Sequence, residues 1–112
     1  MSKISIILPV YNYKDPILKV LKKINDQTLK PNEIIIVDSS NNIKIQEMVR
    51  SFNSSIFILY HWVPKAYPGQ SRNIGVKLAK NEYVAFVDSK TLPKKNWLSE
   101  YIKILKDDNL EY

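Results

Sequence analysis

Four short apolar runs, rich in Ile and Val, constrain the fold of this chain more than any other feature of its sequence. They are ISIILPV at 4–10, EIIIVD at 33–38, IFILYHW at 56–62 and YVAFVD at 83–88. Continuous apolar runs of this length are typical of strands in a parallel sheet, in which helices cover both faces. We therefore predict four strands, each buried on both faces.

The segments between these runs have helical patterns. Asp15-Pro16 is typical of a helix start, and apolar residues at helical spacing extend that helix to about Gln27. A second helix is expected, with an inner face at Ile45, Met48, Val49 and Phe52. A third is expected over 71–80, after a loop at 63–70, and a fourth from near Pro93. The order predicts an α/β fold, a Rossmann-like three-layer sandwich around a mainly parallel four-stranded sheet.

The composition limits the classes of function. The chain has 112 residues, enough for one domain with a core, and no apolar run approaches the ~18 residues of a membrane span. The absence of cysteine excludes disulfides and thiolate metal sites. Among the 17 basic residues only Arg50 and Arg72 are arginine, the side chain that nucleic-acid readers use most, so no nucleic-acid partner is expected.

The net charge of +6 allows two interpretations. It is typical of a solvated lysine-rich surface, and it also favours attraction to anionic substrates or to a membrane surface. We expect a cytoplasmic location, with peripheral association at the inner face of the membrane as a further possibility.

Polar residues follow the predicted strands at the edge where a parallel sheet binds its ligands. That edge lies beyond the carboxyl ends of the strands, near the point where the strand order reverses. The candidates are Tyr11-Asn12, Asp38-Ser39 and the segment 88–90. A carboxylate there could accept hydrogen bonds from a ribose or a base, bind a metal, or only cap the next loop. The phosphate loops GxxxxGK[ST] and GxGxxG are both absent from the sequence, and His61, the single histidine, is expected to be structural.

Taken together, four segments resemble the family-2 glycosyltransferases. They are SIILPVYN at 5–12, QTLKPNEIIIVDSS at 27–40, PGQSRNIGVKLAKNEYVAFVDS at 68–89 and LPKKNWL at 92–98, in the order and spacing of that family. The resemblance implies the GT-A fold and the nucleotide-binding half of an inverting enzyme. Its donor would be a nucleotide-diphospho-sugar and its acceptor a polysaccharide or another molecule that stays unknown.

The resemblance also implies roles for single residues. The segment after the first strand would lie along the nucleoside, Asp38 near the base or ribose, and Arg72 towards the nucleotide pocket. Ser39 stands where the family usually has a second Asp or a small polar residue. The nucleotide-binding residues implied in this way are Pro9, Val10, Tyr11, Asn12, Asp38, Ser39, Arg72, Asn73 and Asp88.

Asp88 matches the first residue of the family's Asp-x-Asp motif, which helps to bind Mg²⁺ or Mn²⁺, but Lys90 occupies the place of the second carboxylate. An ammonium cannot bind a cation, yet it can meet a phosphate as a point charge. Three interpretations stay open. Lys90 replaces the charge of the metal, or Asp88 alone holds a metal weakly with help from phosphate, or the site is degraded.

Inverting transfer needs a general base for the acceptor hydroxyl, and the family carries this Asp or Glu downstream of the Asp-x-Asp region. No residue of this chain can be assigned that role. We therefore interpret residues 1–112 as a single truncated domain, the nucleotide-sugar-binding half without the acceptor half, and as a fragment of a larger enzyme. The alternative is a non-catalytic interaction domain that retains the fold. An exposed sheet edge would favour a homo-oligomer in either case.

Overall fold

The computed structural model describes residues 3–12, 16–65, 68–90 and 92–106. Its strands and helices alternate, which confirms the predicted order. In chain order they are β1 Ile4–Val10, α1 Ile17–Asn25, β2 Glu33–Asp38, α2 Lys44–Ser51, β3 Phe57–Trp62, α3 Pro68–Leu78, β4 Tyr83–Phe86 and α4 Trp97–Leu105. None of the helices in these ranges is long and apolar enough to cross a membrane.

The described strands form one sheet in the order β3-β2-β1-β4, and every pairing in it is parallel. This confirms the α/β fold. The chain moves from β1 outwards to β2 and β3, then returns to place β4 on the free side of β1. The strand order therefore reverses between β1 and β4. The register pairs Val10 with Asp38 and Asp38 with Trp62, so the last residues of β1, β2 and β3 lie at one edge.

Alternate side chains of the strands pack into two cores on opposite faces of the sheet. On one face Ile6, Leu8 and Ile36 pack with buried residues of α1, α2 and α4. On the other face Ile7, Ile35 and Val37 pack with partly buried residues of α3. The molecule therefore has the predicted three layers, with α3 alone covering its face among the described helices.

Gly75 allows α3 to lie directly against β1. A Cβ atom built on Gly75 would overlap Cγ2 of Ile7 and lie 3.1 Å from its Cγ1. Ile7 has no exposed surface and its branched side chain starts at the backbone, so it has little room to move. This close contact is the reason for a glycine within the helix.

The prediction that all four strands are buried on both faces is wrong for the two outer ones. β1 and β2 are buried almost throughout, whereas Phe57 and Trp62 of β3 and Phe86 of β4 are about half exposed or more. His61 is exposed as well. The reason is position, because an edge strand has one neighbour and α3 contacts β1 and β2.

Three predicted helix boundaries also need correction. α3 begins at Pro68, within the predicted loop, because proline fits the first turn of a helix. α1 ends at Asn25, and α4 begins at Trp97 instead of near Pro93. Asp15, predicted to start α1, lies outside the described residues.

The side chain of Gln27 accounts for the later start of α4. It is 2% exposed, its Nε2 donates to Lys94 O (2.6 Å), and its Oε1 accepts from Leu98 N–H (3.0 Å). Thr28 N–H donates to Lys95 O (2.9 Å) in parallel. Residues 94–96 therefore form a turn held against the end of α1, and Gln27 supplies the hydrogen-bond acceptor that the first turn of α4 needs.

Candidate functional site

Hydrogen bonds join the ends of the first three strands at the carboxyl edge of the sheet. Ser39 N–H donates to Val10 O (3.0 Å), and Val63 N–H donates to Asp38 O (2.9 Å). Asn12 N–H donates to Ser40 Oγ (2.5 Å). The structure therefore brings together the predicted residues that follow β1 and those that follow β2.

Asn12 has a left-handed backbone, with φ of 69°. Asparagine adopts this conformation more readily than other residues with a side chain, although it still needs support from its surroundings. The Ser40 hydroxyl supplies that support. Tyr11, the residue before it, has 52% of its surface exposed at this edge.

Asp38 lies at the predicted edge, but its carboxylate faces inwards. The residue has no exposed surface, its Oδ1 accepts from Ser40 N–H (2.9 Å), and its Oδ2 accepts from the Tyr60 hydroxyl. Ser39 is also buried, at 3% exposure. In this conformation the Asp38 carboxylate shapes the turn at 38–40 and does not present an oxygen to solvent.

Tyr60 and Trp62 contribute to this edge although the sequence did not single them out. Trp62 Nε1 donates to Ser40 O (3.0 Å), so the Tyr60 and Trp62 side chains of β3 both bind the turn at 38–40. Burial, together with the hydrogen bond to Asp38 and its charge, raises the pKa of Tyr60 well above its usual range. The available signal was the spacing: two polar aromatic residues two positions apart on a strand point to the same face.

Arg72 and Asn73 are exposed on α3, the helix that follows the carboxyl end of β3. The ion pairs found among the described residues, Lys22–Asp26 and Lys103–Glu100, involve neither Arg72 nor Lys90. Both cationic groups are therefore exposed to solvent without a carboxylate partner in the part of the chain that the structure describes.

Asp88 and Lys90 lie just beyond β4, on the other side of the point where the strand order reverses. Val87 N–H donates to Ile7 O (3.0 Å), which holds this segment beside β1. Lys90 N–H then donates to Asp88 Oδ1 (2.9 Å), so the carboxylate closes a tight turn. Both side chains are exposed.

These residues alone do not make a metal site. Within the described ranges no three His, Cys, Asp or Glu residues lie close enough together to hold a metal ion. A divalent cation takes about six oxygen ligands. At this edge Asp88 is the exposed carboxylate, with an ammonium two residues away. Most ligands of any Mg²⁺ or Mn²⁺ would therefore have to come from phosphate, water or another segment.

A parallel sheet in the order 3-2-1-4, with polar loops meeting where that order reverses, is the architecture of a nucleotide-binding α/β domain. The sequence profile described as Glycosyl transferase family 2 matches residues 5–112. The chain belongs to this family.

Relatives agree with this assignment. The chain is 34% identical over 112 residues to a chondroitin synthase of Escherichia coli, covering 96% of this chain and 16% of that protein. A crystal structure of S. aureus TarS 1-349 in complex with UDP-GlcNAc superposes with a TM-score of 0.79 at 27% identity, covering 94% of this chain and 31% of the other. A crystal structure of the same protein in complex with UDP superposes with a TM-score of 0.78.

A more distant structure shares the fold alone. It is the glucosyl-3-phosphoglycerate synthase of Mycobacterium tuberculosis, in complex with Mn²⁺, UDP and glucosyl-3-phosphoglycerate, with a TM-score of 0.72 at 19% identity over 96% of this chain and 41% of that one. The chain spans less than a fifth of the length of four of the curated relatives that it matches.

Proposed function

We propose that this chain binds a nucleotide-diphospho-sugar at the carboxyl edge of its sheet and is the donor-binding part of a glycosyltransferase that extends a polysaccharide. The observation that carries the proposal is the position of the ends of β1 and β2 and of the Asp88 turn, which lie at the same edge of the sheet, where the strand order reverses. UDP is the nucleotide we favour, because TarS, 27% identical, is known in complexes with UDP and UDP-GlcNAc.

Within this proposal the half-exposed ring of Tyr11 and the backbone of Asn12 receive the nucleoside. The exposed cations Arg72 and Lys90 attract the diphosphate, since neither has a carboxylate partner among the described ion pairs. We further propose that Lys90 meets the diphosphate in place of the second carboxylate of an Asp-x-Asp motif. The chemistry that a divalent metal supplies when bound in this family is stabilisation of the leaving diphosphate.

Nucleotide binding to the 112-residue chain tests the proposal. A ligand that binds only the folded state raises its stability, so UDP and UDP-sugars should raise Tm in a thermal-shift titration. Uridine is the matched control, because it lacks the phosphates and should give a smaller shift. A screen of UDP, GDP, dTDP and CDP compounds without any response would contradict the proposal and favour a non-catalytic interaction domain.

We also propose that the protein works in the cytoplasm, at the inner face of the membrane. The support is a cavity of about 450 Å³ at the amino edge of the sheet, lined by Lys23, Lys30 and Lys95 together with Asp26, Gln27 and Thr28. The lining has three lysines against one carboxylate, and that carboxylate, Asp26, is paired with Lys22 (3.0 Å). Anionic headgroups could bind here while the opposite edge stays free for the donor.

A further inference from the structure

We propose that Tyr60 and Ser40 are positioning residues for the donor site. They act through a chain of hydrogen bonds that runs from Tyr60 to Asp38, Ser40 and Asn12 and holds the Tyr11–Asn12 backbone in its nucleotide-receiving conformation. The inference rests on the proposed function, because it names residues that shape the same site without contacting the nucleotide.

The first half of the chain of hydrogen bonds fixes the turn after β2. Asp38 has no exposed surface, and a carboxylate in that position needs hydrogen-bond donors on its oxygens. Tyr60, from the neighbouring strand β3, donates its hydroxyl to Oδ2, and Ser40 donates its backbone N–H to Oδ1 at 2.9 Å. The phenol of a tyrosine is protonated at neutral pH, so the Tyr60 hydroxyl is a donor there, and burial beside Asp38 raises its pKa further.

The second half passes this constraint to the loop after β1. Besides its N–H, Ser40 is held by its carbonyl, which accepts from Trp62 Nε1 at 3.0 Å. Its hydroxyl oxygen, thus fixed, accepts from Asn12 N–H at 2.5 Å. Ser40 is 1% exposed, so its hydroxyl has little access to water.

The backbone conformation of Asn12 makes the loop depend on that bond. A φ of 69° is a conformation that residues with a side chain seldom adopt unless their surroundings impose it. Without the Ser40 hydroxyl the 11–12 peptide can rotate towards a more common conformation. The exposed ring of Tyr11 and the amide of Asn12 would then no longer share the orientation that receives the nucleoside.

Three variants of the 112-residue chain test the inference. Ser40→Ala removes the acceptor for Asn12 N–H, and Tyr60→Phe removes one donor to Asp38 while keeping the ring. Tyr101→Phe is the matched control, because its hydroxyl is also partly buried in the core and donates to a backbone carbonyl, Val84 O, at 3.2 Å. Each is compared with the wild type by UDP titration calorimetry, by hydrogen exchange of the Asn12 amide in NMR, and by urea unfolding.

We expect Ser40→Ala to abolish the exchange protection of the Asn12 amide and to weaken UDP binding by about fivefold to tenfold, the equivalent of one net hydrogen bond. Tyr60→Phe should shift both readouts in the same direction by a smaller amount. Tyr101→Phe should lose stability like Tyr60→Phe but keep the wild-type Kd for UDP and the wild-type exchange of Asn12.

The outcomes separate this inference from the proposed function. Wild-type Asn12 exchange in Ser40→Ala overturns the positioning role whether or not nucleotide binds. Wild-type UDP affinity in both Ser40→Ala and Tyr60→Phe overturns it as well. A wild-type chain that binds no nucleotide overturns the proposed function, and with it the role in donor binding.

Discussion

Asp88 and Lys90 place a carboxylate and an ammonium two residues apart on one exposed turn. The carboxylate already accepts the Lys90 backbone N–H, which orients the turn, while no ion pair among the described residues engages the Lys90 side chain. Its ammonium can therefore reach an anion at the carboxyl edge without breaking an existing contact. The three interpretations of the motif differ in what this ammonium does when a diphosphate binds.

Lys90→Asp restores the second carboxylate and separates those interpretations. If Lys90 supplies the positive charge, UDP affinity of the wild type should not depend on Mn²⁺, whereas the variant should bind weakly without Mn²⁺ and recover with it. Titration calorimetry with and without Mn²⁺ measures this. Lys94→Asp is the control, because it makes the same charge change in another exposed lysine of the described chain.

Each alternative has its own result in that experiment. Strong and equal Mn²⁺ dependence in the wild type and in Lys90→Asp would mean that Asp88 holds the metal without needing a second carboxylate. Equal affinities with no Mn²⁺ dependence in either protein would mean that Lys90 is only a solvated cation.

At the scale of elements, the contact between α3 and β1 depends on one missing side chain. α3 packs across β1 and β2 and is the described helix on its face of the sheet. Gly75 stands over the buried Ile7, whereas the space beside Gly69 in the first turn of the same helix is open, since a Cβ atom added there would have no neighbour within 4 Å. The two glycines of the chain therefore form a natural pair of test sites.

Gly75→Ala should destabilise the fold by about 1–3 kcal/mol, the usual cost of forcing an extra group into a packed core. This loss exceeds the gain in helix propensity from alanine. Gly69→Ala is the matched control and should be neutral or stabilise by about 0.4–1 kcal/mol. Urea unfolding of both variants measures the difference, and equal stability of the two would show that Ile7 and α3 move apart at little cost.

The element boundaries show where local sequence patterns stop being informative. Periodicity located all four strands and the order of the helices, because burial sets both periods. It placed the start of α4 too early, since the side chain of Gln27 from a distant part of the chain holds residues 94–96 as a turn. It also predicted too much burial for β3, because an apolar run does not reveal whether its strand lies at the centre or the edge of the sheet.

On the scale of the whole molecule, the two edges of the sheet differ in character. The carboxyl edge carries the candidate donor site, and the amino edge carries the lysine-lined cavity. β3 and β4 are the outer strands of the described sheet. Self-association through their outer edges stays a prediction. The proposed arrangement has the membrane at the amino edge and the donor at the other.

Vesicle co-sedimentation tests that arrangement. The wild type should bind vesicles that contain phosphatidylglycerol more than vesicles of phosphatidylcholine alone, and less as salt is raised. Reversing two lysines of the cavity, with Lys23→Glu and Lys95→Glu, should abolish most of this binding, at about 1 kcal/mol or more per lysine. Lys19→Glu with Lys65→Glu makes the same charge change near the carboxyl ends of the strands and should retain it. Equal loss in both double variants would mean that net charge alone drives binding.

The sequence by itself determined the α/β class, the parallel pairing and the family, because apolar periodicity and the spacing of short motifs depend on residues that are close along the chain. It also located the turns after the strands that carry the polar candidate residues. Only the tertiary structure decided which side chains face outwards there. Asp38 is buried because Tyr60, on the neighbouring strand, donates to it, and Asn12 is held in a left-handed conformation by the hydroxyl of Ser40. Such contacts join residues more than 20 positions apart, and no local pattern records them.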